Sequence, residues 1–293
     1  MAANSRKIHA ASIVDGEFAF SSEDFRKIAA MLHADAGIYL PDAKATLVYS
    51  RLVKRLRTLG LASFADYCAL VADHAGADER QKMLAALTTN VTRFFREPHH
   101  FDHLKRQTLP PLLEAARRGG RVRIWSAGCS RGHEPYSIGM IVLSLLPDAA
   151  DLDVRILATD IDPNVVEEGR QGLYEAGEVA IVPPAERSRF FVRDRTRDTR
   201  FSVTDDLRAL VSFRELNLIG HWPMKGRFDA IFCRNVVIYF DEPTQTKIWS
   251  RFVPLLMPGG LLCIGHSERL LGSALPLFTS AGITTYELAR GQA

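Results

Sequence analysis

Residues 121–136 read RVRIWSAGCSRGHEPY, and this stretch decides the fold of the chain. A β-rich run at 122–125 ends in small residues, and Gly128 and Gly132 follow it. The apolar segment 135–146 then predicts a helix. Strand, glycine turn and helix in this order are typical of α/β proteins that hold an adenosine-type cofactor at the carboxyl end of the first strand. Taken alone, the pattern also fits an ordinary tight turn between a strand and a helix.

The chemistry of the turn indicates the kind of cofactor. The glycines form G-x-x-x-G rather than the G-x-G-x-x-G of a pyrophosphate site, which disfavours a nicotinamide dehydrogenase. Gly128 would let the backbone approach a ligand closely. Glu134 lies in the turn, where a carboxylate repels phosphate but suits a cation. S-adenosylmethionine fits, because it carries a sulfonium and an ammonium group and no phosphate.

The composition narrows the class of protein. The 293 residues are 47% apolar and 24% charged, which suits a globular protein of one or two domains. A net charge of +3 is too small to predict binding to nucleic acid. No apolar run reaches the length of a membrane span, and the N-terminus lacks a signal-peptide core. We therefore expect a cytoplasmic protein without membrane insertion, and a monomer.

The cysteines bear on metal binding and redox state. They are widely spaced and form no C-x-x-C pair, lying at Cys68, Cys129, Cys233 and Cys263. This spacing predicts neither a zinc site nor a disulfide framework. We therefore expect reduced thiols and no bound metal.

The first third of the chain predicts a tail and a helical domain. Residues 1–17 are polar and mixed, which predicts a flexible tail. Residues 18–89 show helical patterns without a strand pattern, so we expect an all-α N-terminal domain. Helix start signals lie at Ser21 and Ser63, and a stop signal lies at Gly60.

The remaining residues, 90–293, alternate between strand and helix patterns. Strands are predicted at 121–127, 153–159, 228–234 and 260–265, and helices at 135–146, 163–170 and 244–257. This alternation predicts an α/β fold with a Rossmann-like parallel sheet. The segment LPLFTSAGITTYELA (275–289) predicts a terminal antiparallel hairpin, which is common in methyltransferases of this architecture. Residues 172–216 interrupt the alternation and predict a small inserted β-subdomain.

Polar side chains follow two further predicted strands. Asp160 ends the second strand, where an acid can accept hydrogen bonds from both ribose hydroxyls. Asp162 precedes a proline and either caps the next helix or takes the ribose itself. Arg234 and Asn235 end the strand FDAIFC, where such sheets place their ligands, although an Arg-Asn pair alone usually marks a surface turn. Because three strand ends converge on one edge, we expect a binding site there.

Six motifs in order resemble the CheR family, the glutamate methyltransferases of chemotaxis receptors. They are NVTRFFREP (90–98), SAGCSRGHEPYSI (126–138), ATDID (158–162), NL (217–218), FDAIFCRNVVIYF (228–240) and LMPGGLLCIGHSE (256–268). The resemblance implies an N-terminal helical domain and an S-adenosylmethionine domain with a small inserted β-subdomain. It also implies methylation of glutamate side chains on the cytoplasmic helical bundle of chemoreceptors, with S-adenosylhomocysteine as the product.

The resemblance also implies roles for single residues. Asn90, Thr92 and Arg96 would line the cofactor site, with Glu134 at the methionine ammonium, Asp160 at the ribose, Asn217 and Leu218 beside the adenine, Arg234 and Asn235 closing the site, and Tyr239 near the transferred methyl group. His133 departs from the pattern, because the family often has a second glutamate there. The glutamate before the proline is kept, so we expect the cofactor site to be intact.

The implied reaction suits these residue types. A glutamate side chain has a pKa of about 4.3 and is already an anion at neutral pH, so it needs no general base. What remains for the protein is orientation and the removal of water. Arg96 could hold the incoming carboxylate as a planar fork. Tyr239 could orient it through its hydroxyl, or it could simply pack beside the strand end.

A basic helix face in the N-terminal domain suggests a docking surface. The helix 43–59 carries Lys44, Arg51, Lys54 and Arg55 on one side, and no acid occurs from residue 43 to residue 64. Such a stripe is usually just a solvated face. Because the implied substrate is an acidic bundle, we expect these side chains to dock it.

Two alternative functions remain open, and one mode of receptor binding is not expected. The chain could be a catalytically silent cofactor-binding sensor or scaffold, or a methyltransferase for another carboxylate. The first alternative is disfavoured because the chain retains the residues implied for the active site, Arg96, Arg234, Asn235 and Tyr239. Family members that are tethered to a receptor C-terminal pentapeptide carry a longer glycine-containing turn in the inserted subdomain. This chain has RDRTRDTR (193–200) there, which argues against pentapeptide tethering.

Overall fold

The computed structural model describes residues 12–194 and 199–291. The chain divides into two units, Met1–Thr89 and Asn90–Ala293. In the described part of the chain, the first unit is helical and the second is built on a mostly parallel sheet. None of the described helices combines the length and the apolar character that crossing a membrane requires.

Local capping signals set the helices of the first unit. Its described helices are α1 (Ser22–Ala36), α2 (Ala45–Leu59), α3 (Phe64–Ala72) and α4 (Ala77–Leu87). Ser21 and Asp24 form a capping box at the start of α1. Ser63 caps α3, and Gly60 ends α2 in the left-handed conformation, with φ at 66°. The predicted starts and stop are therefore confirmed.

The segment predicted as a loose tail is only partly described. Residues 1–11 lie outside the described residues. Ser12 forms an isolated antiparallel bridge with Ser21, and the carboxylate of Glu17 lies 2.5 Å from the guanidinium of Arg57. Residues 12–17 therefore make these contacts, and the flexible tail stays a prediction.

The second unit contains the strands and helices that position the site. Its described strands are β1 (Val122–Ala127), β2 (Val154–Asp160), β3 (Leu173–Glu175), β4 (Phe191–Arg193), β5 (Arg200–Val203), β6 (Val211–Glu215), β7 (Phe228–Cys233), β8 (Leu256–Ile264), β9 (Phe278–Gly282) and β10 (Thr285–Leu288). Its described helices are α5 (Pro98–His103), α6 (Leu109–Arg117), α7 (His133–Leu145), α8 (Pro163–Gln171), α9 (Ala176–Val179), α10 (Pro184–Phe190), α11 (Asp205–Ala209) and α12 (Glu242–Phe252).

Seven of these described strands form one sheet in the order β6-β2-β1-β7-β8-β10-β9. The neighbours from β6 to β8 pair in parallel, and β10 pairs antiparallel with both β8 and β9. The central strands β1 and β7 bury nearly every residue, as expected for parallel strands covered on both faces. The predicted Rossmann-like sheet and its terminal hairpin are confirmed.

The inserted subdomain is shorter than the predicted range 172–216. Its described strands form an antiparallel sheet in the order β3-β5-β4, which ends at Val203. Strand β6 belongs instead to the main sheet, where Val211 pairs with Ile156 of β2. Of the segment RDRTRDTR, residues 195–198 lie outside the described residues.

Candidate active site

Three neighbouring parallel strands end at one edge of the sheet and carry the predicted residues. Gly128 follows β1, Asp160 ends β2, and Arg234 follows β7. The strands lie side by side in the order β2-β1-β7, so their carboxyl ends are adjacent. The expected convergence of these strand ends is therefore present.

The glycine turn between β1 and α7 has a packing cause. Gly128 and Gly132 have φ values of 81° and 87°, a conformation that side chains other than glycine rarely adopt. A Cβ at Gly128 would collide with Cγ2 of Val236, and one at Gly132 would press on Phe213. The close approach of Val236 and the left-handed backbone therefore account for the glycine at position 128. The sequence analysis had explained it by the close approach of a ligand.

Asp160 shapes the loops around its own strand end. One carboxylate oxygen accepts the backbone N–H of Ser130 at 2.8 Å, and the other accepts that of Asp162 at 3.1 Å. Burial raises the pKa of Asp160, although these hydrogen bonds oppose the shift. A carboxylate can accept about four hydrogen bonds, so Asp160 keeps acceptor capacity for a ligand.

Asp162 takes the capping role and connects Asn90 to the site. Its Oδ1 accepts the backbone N–H of Asn164 at 2.9 Å at the start of α8. Its Oδ2 accepts from the side-chain amide of Asn90 at 3.1 Å. Asn90 is thereby held beside the ends of β1 and β2, within 3.5 Å of the Ser130 hydroxyl.

Arg234 is buried between two carboxylates. Its Nη1 donates to Glu134 at 2.9 Å, and its Nη2 lies 3.4 Å from Glu97. Nη2 also donates to the backbone carbonyl of Arg96. Glu134 accepts a further hydrogen bond from the hydroxyl of Ser126 at 2.7 Å. Burial raises the pKa of Glu134, while Arg234 and Ser126 favour its ionised form.

Glu97 is a site residue to which the sequence analysis assigned no role. Its Oε1 lies 3.0 Å from Nδ1 of His266 and 3.4 Å from the side-chain amide of Asn235. Burial alone would raise its pKa, but the charge of Arg234 and the hydrogen bond from His266 lower it to about 2. Glu97 is therefore an anion at neutral pH.

The loop after β7 is anchored by a second unassigned acid, Glu268. Its carboxylate accepts backbone N–H groups of Asn235, Val236 and Val237 at 3.0, 2.8 and 2.9 Å, and that of Gly265 at 2.5 Å. Asn235 has a left-handed backbone, with φ at 59°. Burial raises the pKa of Glu268, against these hydrogen bonds. The loop that presents Asn235 is therefore set by one buried side chain.

Arg96 and Tyr239, the two residues expected to touch the substrate, are both half-buried. The guanidinium of Arg96 donates to the carbonyl of Val91 at 3.0 Å, and its side chain is half-buried. Tyr239 ends a 3₁₀ turn over Val237–Tyr239 and is also half-buried. Thr92 is half-buried in the segment that precedes Arg96.

Asn217 and Leu218 follow β6, next to the end of β2. The side chain of Asn217 accepts the backbone N–H of Ile219 at 3.1 Å, which forms a tight turn. The carbonyl of Leu218 accepts from Trp222 at 3.1 Å and from Arg251 at 2.7 Å. This turn therefore lies at the same sheet edge as Asp160.

The unusual His133 is a packing residue. It is buried beside the rings of Phe94 and Tyr174, with centroids 4.6 and 4.8 Å away. Its Nε2 lies 3.3 Å from the carboxylate of Glu178 in the inserted subdomain. Burial lowers the pKa of His133 to about 4, so the ring is neutral at neutral pH. The side chain that replaces the family's frequent glutamate thus faces the subdomain.

One group of possible metal ligands lies near the site among the described residues. Ligand atoms of Glu97, His99 and His100 lie within 4.8 Å of one another. The guanidinium of Arg234 is 3.4 Å from the same Glu97 carboxylate and would repel a cation there. We therefore assign this carboxylate to Arg234 rather than to a metal.

The structure gives different surroundings to the four basic residues that are predicted to dock the receptor. Arg51 donates to the carbonyls of Leu87 and Thr88 at 2.8 and 2.6 Å and so caps the end of α4. Arg55 forms a two-point ion pair with Glu79, with distances of 2.8 and 2.5 Å.

Both guanidinium groups are thus engaged inside their own unit, and docking by Arg51 and Arg55 stays a prediction. Lys44 and Lys54 are exposed and remain available for the predicted docking.

The fold and this site together define the class. A Rossmann-like sheet with a terminal antiparallel hairpin carries acids at two strand ends and a buried arginine at a third. Glu97, Glu134 and Asp160 outnumber the cation Arg234, which suits a positively charged cofactor without phosphate. The protein is an S-adenosylmethionine-dependent methyltransferase.

Comparison with known proteins gives the family. The family model "CheR methyltransferase, all-alpha domain" matches residues 23–88, and "CheR methyltransferase, SAM binding domain" matches residues 90–286. The chain belongs to the CheR methyltransferase family.

Three relatives extend over nearly the whole chain. A "Probable chemotaxis protein methyltransferase" of Rhizobium etli is 57% identical over 87% of this chain and 96% of the relative. "Chemotaxis protein methyltransferase 2" of Pseudomonas aeruginosa is 44% identical over 93% of this chain and 95% of its own length. The "Chemotaxis protein methyltransferase" of Escherichia coli is 43% identical over 93% of both chains.

Proposed function

We propose that this protein transfers a methyl group from S-adenosylmethionine to glutamate side chains of the cytoplasmic helical bundle of chemoreceptors. The products would be glutamate methyl esters and S-adenosylhomocysteine. The relatives named as chemotaxis protein methyltransferases support the substrate class. The observation that carries the choice of cofactor is the excess of carboxylates around the single buried Arg234 at the strand ends.

The cofactor would be held by groups with matching chemistry. Glu134 would meet the methionine ammonium, and Asp160 would accept the ribose hydroxyls through its free lone pairs. Asn217 and Leu218 would flank the adenine. The remaining members of the proposed cofactor site are Asn90, Thr92, Arg96, Gly128, Arg234 and Asn235.

The chemistry asks for orientation rather than for a base. The cofactor supplies an electrophilic methyl group on a sulfonium, whose sulfur takes the electron pair of the broken bond. A receptor glutamate is already an anion at neutral pH, so no proton need be removed. Arg96 would bind this carboxylate, and Tyr239 would orient it through its hydroxyl. Such orientation can contribute about 7–11 kcal/mol to catalysis.

The test is methylation of receptor cytoplasmic domains with labelled cofactor, scored as base-labile methyl ester. Arg96→Ala and Tyr239→Phe should lower kcat by about 10- to 100-fold and weaken cofactor binding by a smaller factor. Arg117→Ala, in an exposed arginine of α6, is the matched control and should behave as wild type. Absence of base-labile label from wild type with every receptor domain would refute the substrate.

The finer parts of the proposal concern the partner and its surroundings. Lys44 and Lys54 are proposed to dock the acidic receptor bundle, because both side chains are exposed. We propose a cytoplasmic monomer that is not tethered to a receptor pentapeptide. The absence of glycine from residues 193–200 supports the lack of a tether.

A further inference from the structure

The segment that carries Arg96 has an unusual backbone. Phe95 and Glu97, the residues on either side of it, have φ values of 51° and 58°. Residues other than glycine rarely adopt this left-handed conformation, and it persists only where surrounding contacts hold it. Arg96 therefore lies between two strained residues, and the groups that hold them also set its position.

Each strained residue has its own holding contact. The backbone N–H of Phe95 donates to the hydroxyl of Ser137 on α7 at 3.0 Å. Glu97 is held through its side chain, by Arg234, His266 and Asn235. These three partners follow the ends of β7 and β8. The carboxylate of Glu97 thus fastens the Arg96 segment to the sheet edge where the cofactor residues lie.

Arg234 closes a small ring with this segment. The same Nη2 that lies 3.4 Å from the Glu97 carboxylate also donates to the backbone carbonyl of Arg96. The side chain of one residue and the carbonyl of its neighbour therefore share one nitrogen. Loss of the negative charge on Glu97 would weaken one side of this ring and free the peptide of Arg96 to turn.

We propose that Glu97 is a positioning residue that fixes Arg96 for methyl transfer through the guanidinium of Arg234. The inference rests on the proposed function, in which Arg96 binds the receptor glutamate. The carboxylate of Glu97 contacts Arg234, His266 and Asn235, and 11% of its side chain is exposed, so it acts through these neighbours.

The kinetic test is a double-variant cycle in the full-length protein. Glu97→Gln keeps the shape and removes the charge, and it should lower kcat by about 10- to 100-fold and weaken cofactor binding by a smaller factor. In an Arg96→Ala background the same change should alter kcat by less than about twofold. If Glu97→Gln lowers kcat by the same factor with Arg96 present and with Arg96→Ala, the proposal is overturned, because a general structural effect is independent of Arg96.

Hydrogen exchange tests the positioning without any substrate. The amide of Phe95, which donates to Ser137, should exchange at least about fivefold faster in Glu97→Gln than in wild type. Glu114→Gln, in an exposed glutamate that pairs with Arg118 on α6, is the control and should leave exchange unchanged. Unchanged exchange in Glu97→Gln would overturn the positioning role. Failure of wild type to methylate receptors would instead refute the proposed function.

Discussion

Replacement of Glu97 by glutamine should change how the stability of the second unit depends on pH. The pKa of Glu97 is about 2 in the folded protein, against an ordinary value of 4.5, with burial opposed by the charge of Arg234 and the hydrogen bond from His266. A lowered pKa means that the ionised side chain stabilises the fold. That stabilisation is complete above pH 4.5 and is lost as the pH falls toward 2.

The expected magnitude follows from the size of the shift. A difference from 4.5 to about 2 corresponds to about 3 kcal/mol of stability at neutral pH. Of this, about 1 kcal/mol should be gone at pH 4 and about 2 kcal/mol at pH 3. Glu97→Gln has no such group to titrate, so the difference between wild type and variant should shrink by these amounts.

The tryptophans make the assay specific for the second unit. All three of them, Trp125, Trp222 and Trp249, lie beyond residue 89. Urea unfolding followed by tryptophan fluorescence therefore reports this unit. Curves for wild type, Glu97→Gln and the exposed control Glu114→Gln would be recorded from pH 7 to pH 3, with a common m-value required for comparison.

One outcome would contradict the reasoning outright. If wild type exceeds Glu97→Gln by the same free energy at pH 7 and pH 3, the folded pKa of Glu97 is not lowered. Glu114→Gln should show no pH-dependent difference from wild type of comparable size, because its side chain is about half exposed. If Glu114→Gln shows the same pH-dependent loss of unfolding free energy as Glu97→Gln, the effect cannot be assigned to Glu97.

Three further predictions test the cofactor site, the glycine turn and the docking surface. Asp160→Asn should weaken S-adenosylmethionine binding by about 10- to 100-fold in calorimetry, because a charge-assisted acceptor contributes about 1.5–3 kcal/mol; unchanged affinity in a folded variant would refute the ribose role. Gly128→Ala should lower the free energy of unfolding by about 2 kcal/mol, and adding Val236→Ala should restore part of it; no recovery would exclude the Val236 contact as the cause. Lys44→Glu with Lys54→Glu should raise the receptor KM and flatten its salt dependence without changing cofactor affinity; wild-type kinetics across a salt series would return the helix face to a solvated surface.

Features with local causes could be predicted from the sequence. A serine cap or a left-handed glycine is determined within a few residues, and the start of α1 and the end of α2 confirm it. The meeting of Asp160 and Arg234 at one edge also follows from the sequence, because parallel strands end on the same side of their sheet.

Strand β6 was missed for a different reason. It is an edge strand of the main sheet, and its residues alternate between buried and exposed positions. The short strands of the inserted subdomain give a similar pattern of apolar and charged residues. Period-2 alternation shows that a strand is half-buried but does not show which sheet it joins. The range 172–216 was therefore too long at its end.

Ion pairs and hydrogen bonds between residues that are distant in the sequence could not be predicted from local patterns. Arg51 and Arg55 share a helix face free of acids, yet their partners come from α4 and the residues after it. Glu97 and Glu268 lie within motifs that resemble the family, but their contacts with Asn235 span 138 and 33 residues. A sequence shows that such acids are present, and only the fold shows which donors they meet.

These distant contacts also explain how the site keeps its charge. Burial raises the pKa of Glu134 and Asp160, which acts against their ionised forms. Each of these carboxylates accepts hydrogen bonds from other elements, and Arg234 is shared between Glu134 and Glu97. Because one guanidinium serves two carboxylates, the folded site retains negative charge for a cationic cofactor. If Glu134 holds the cofactor and Arg96 the substrate, as proposed, Arg234 links the two parts of the site, because it contacts both Glu134 and the carbonyl of Arg96.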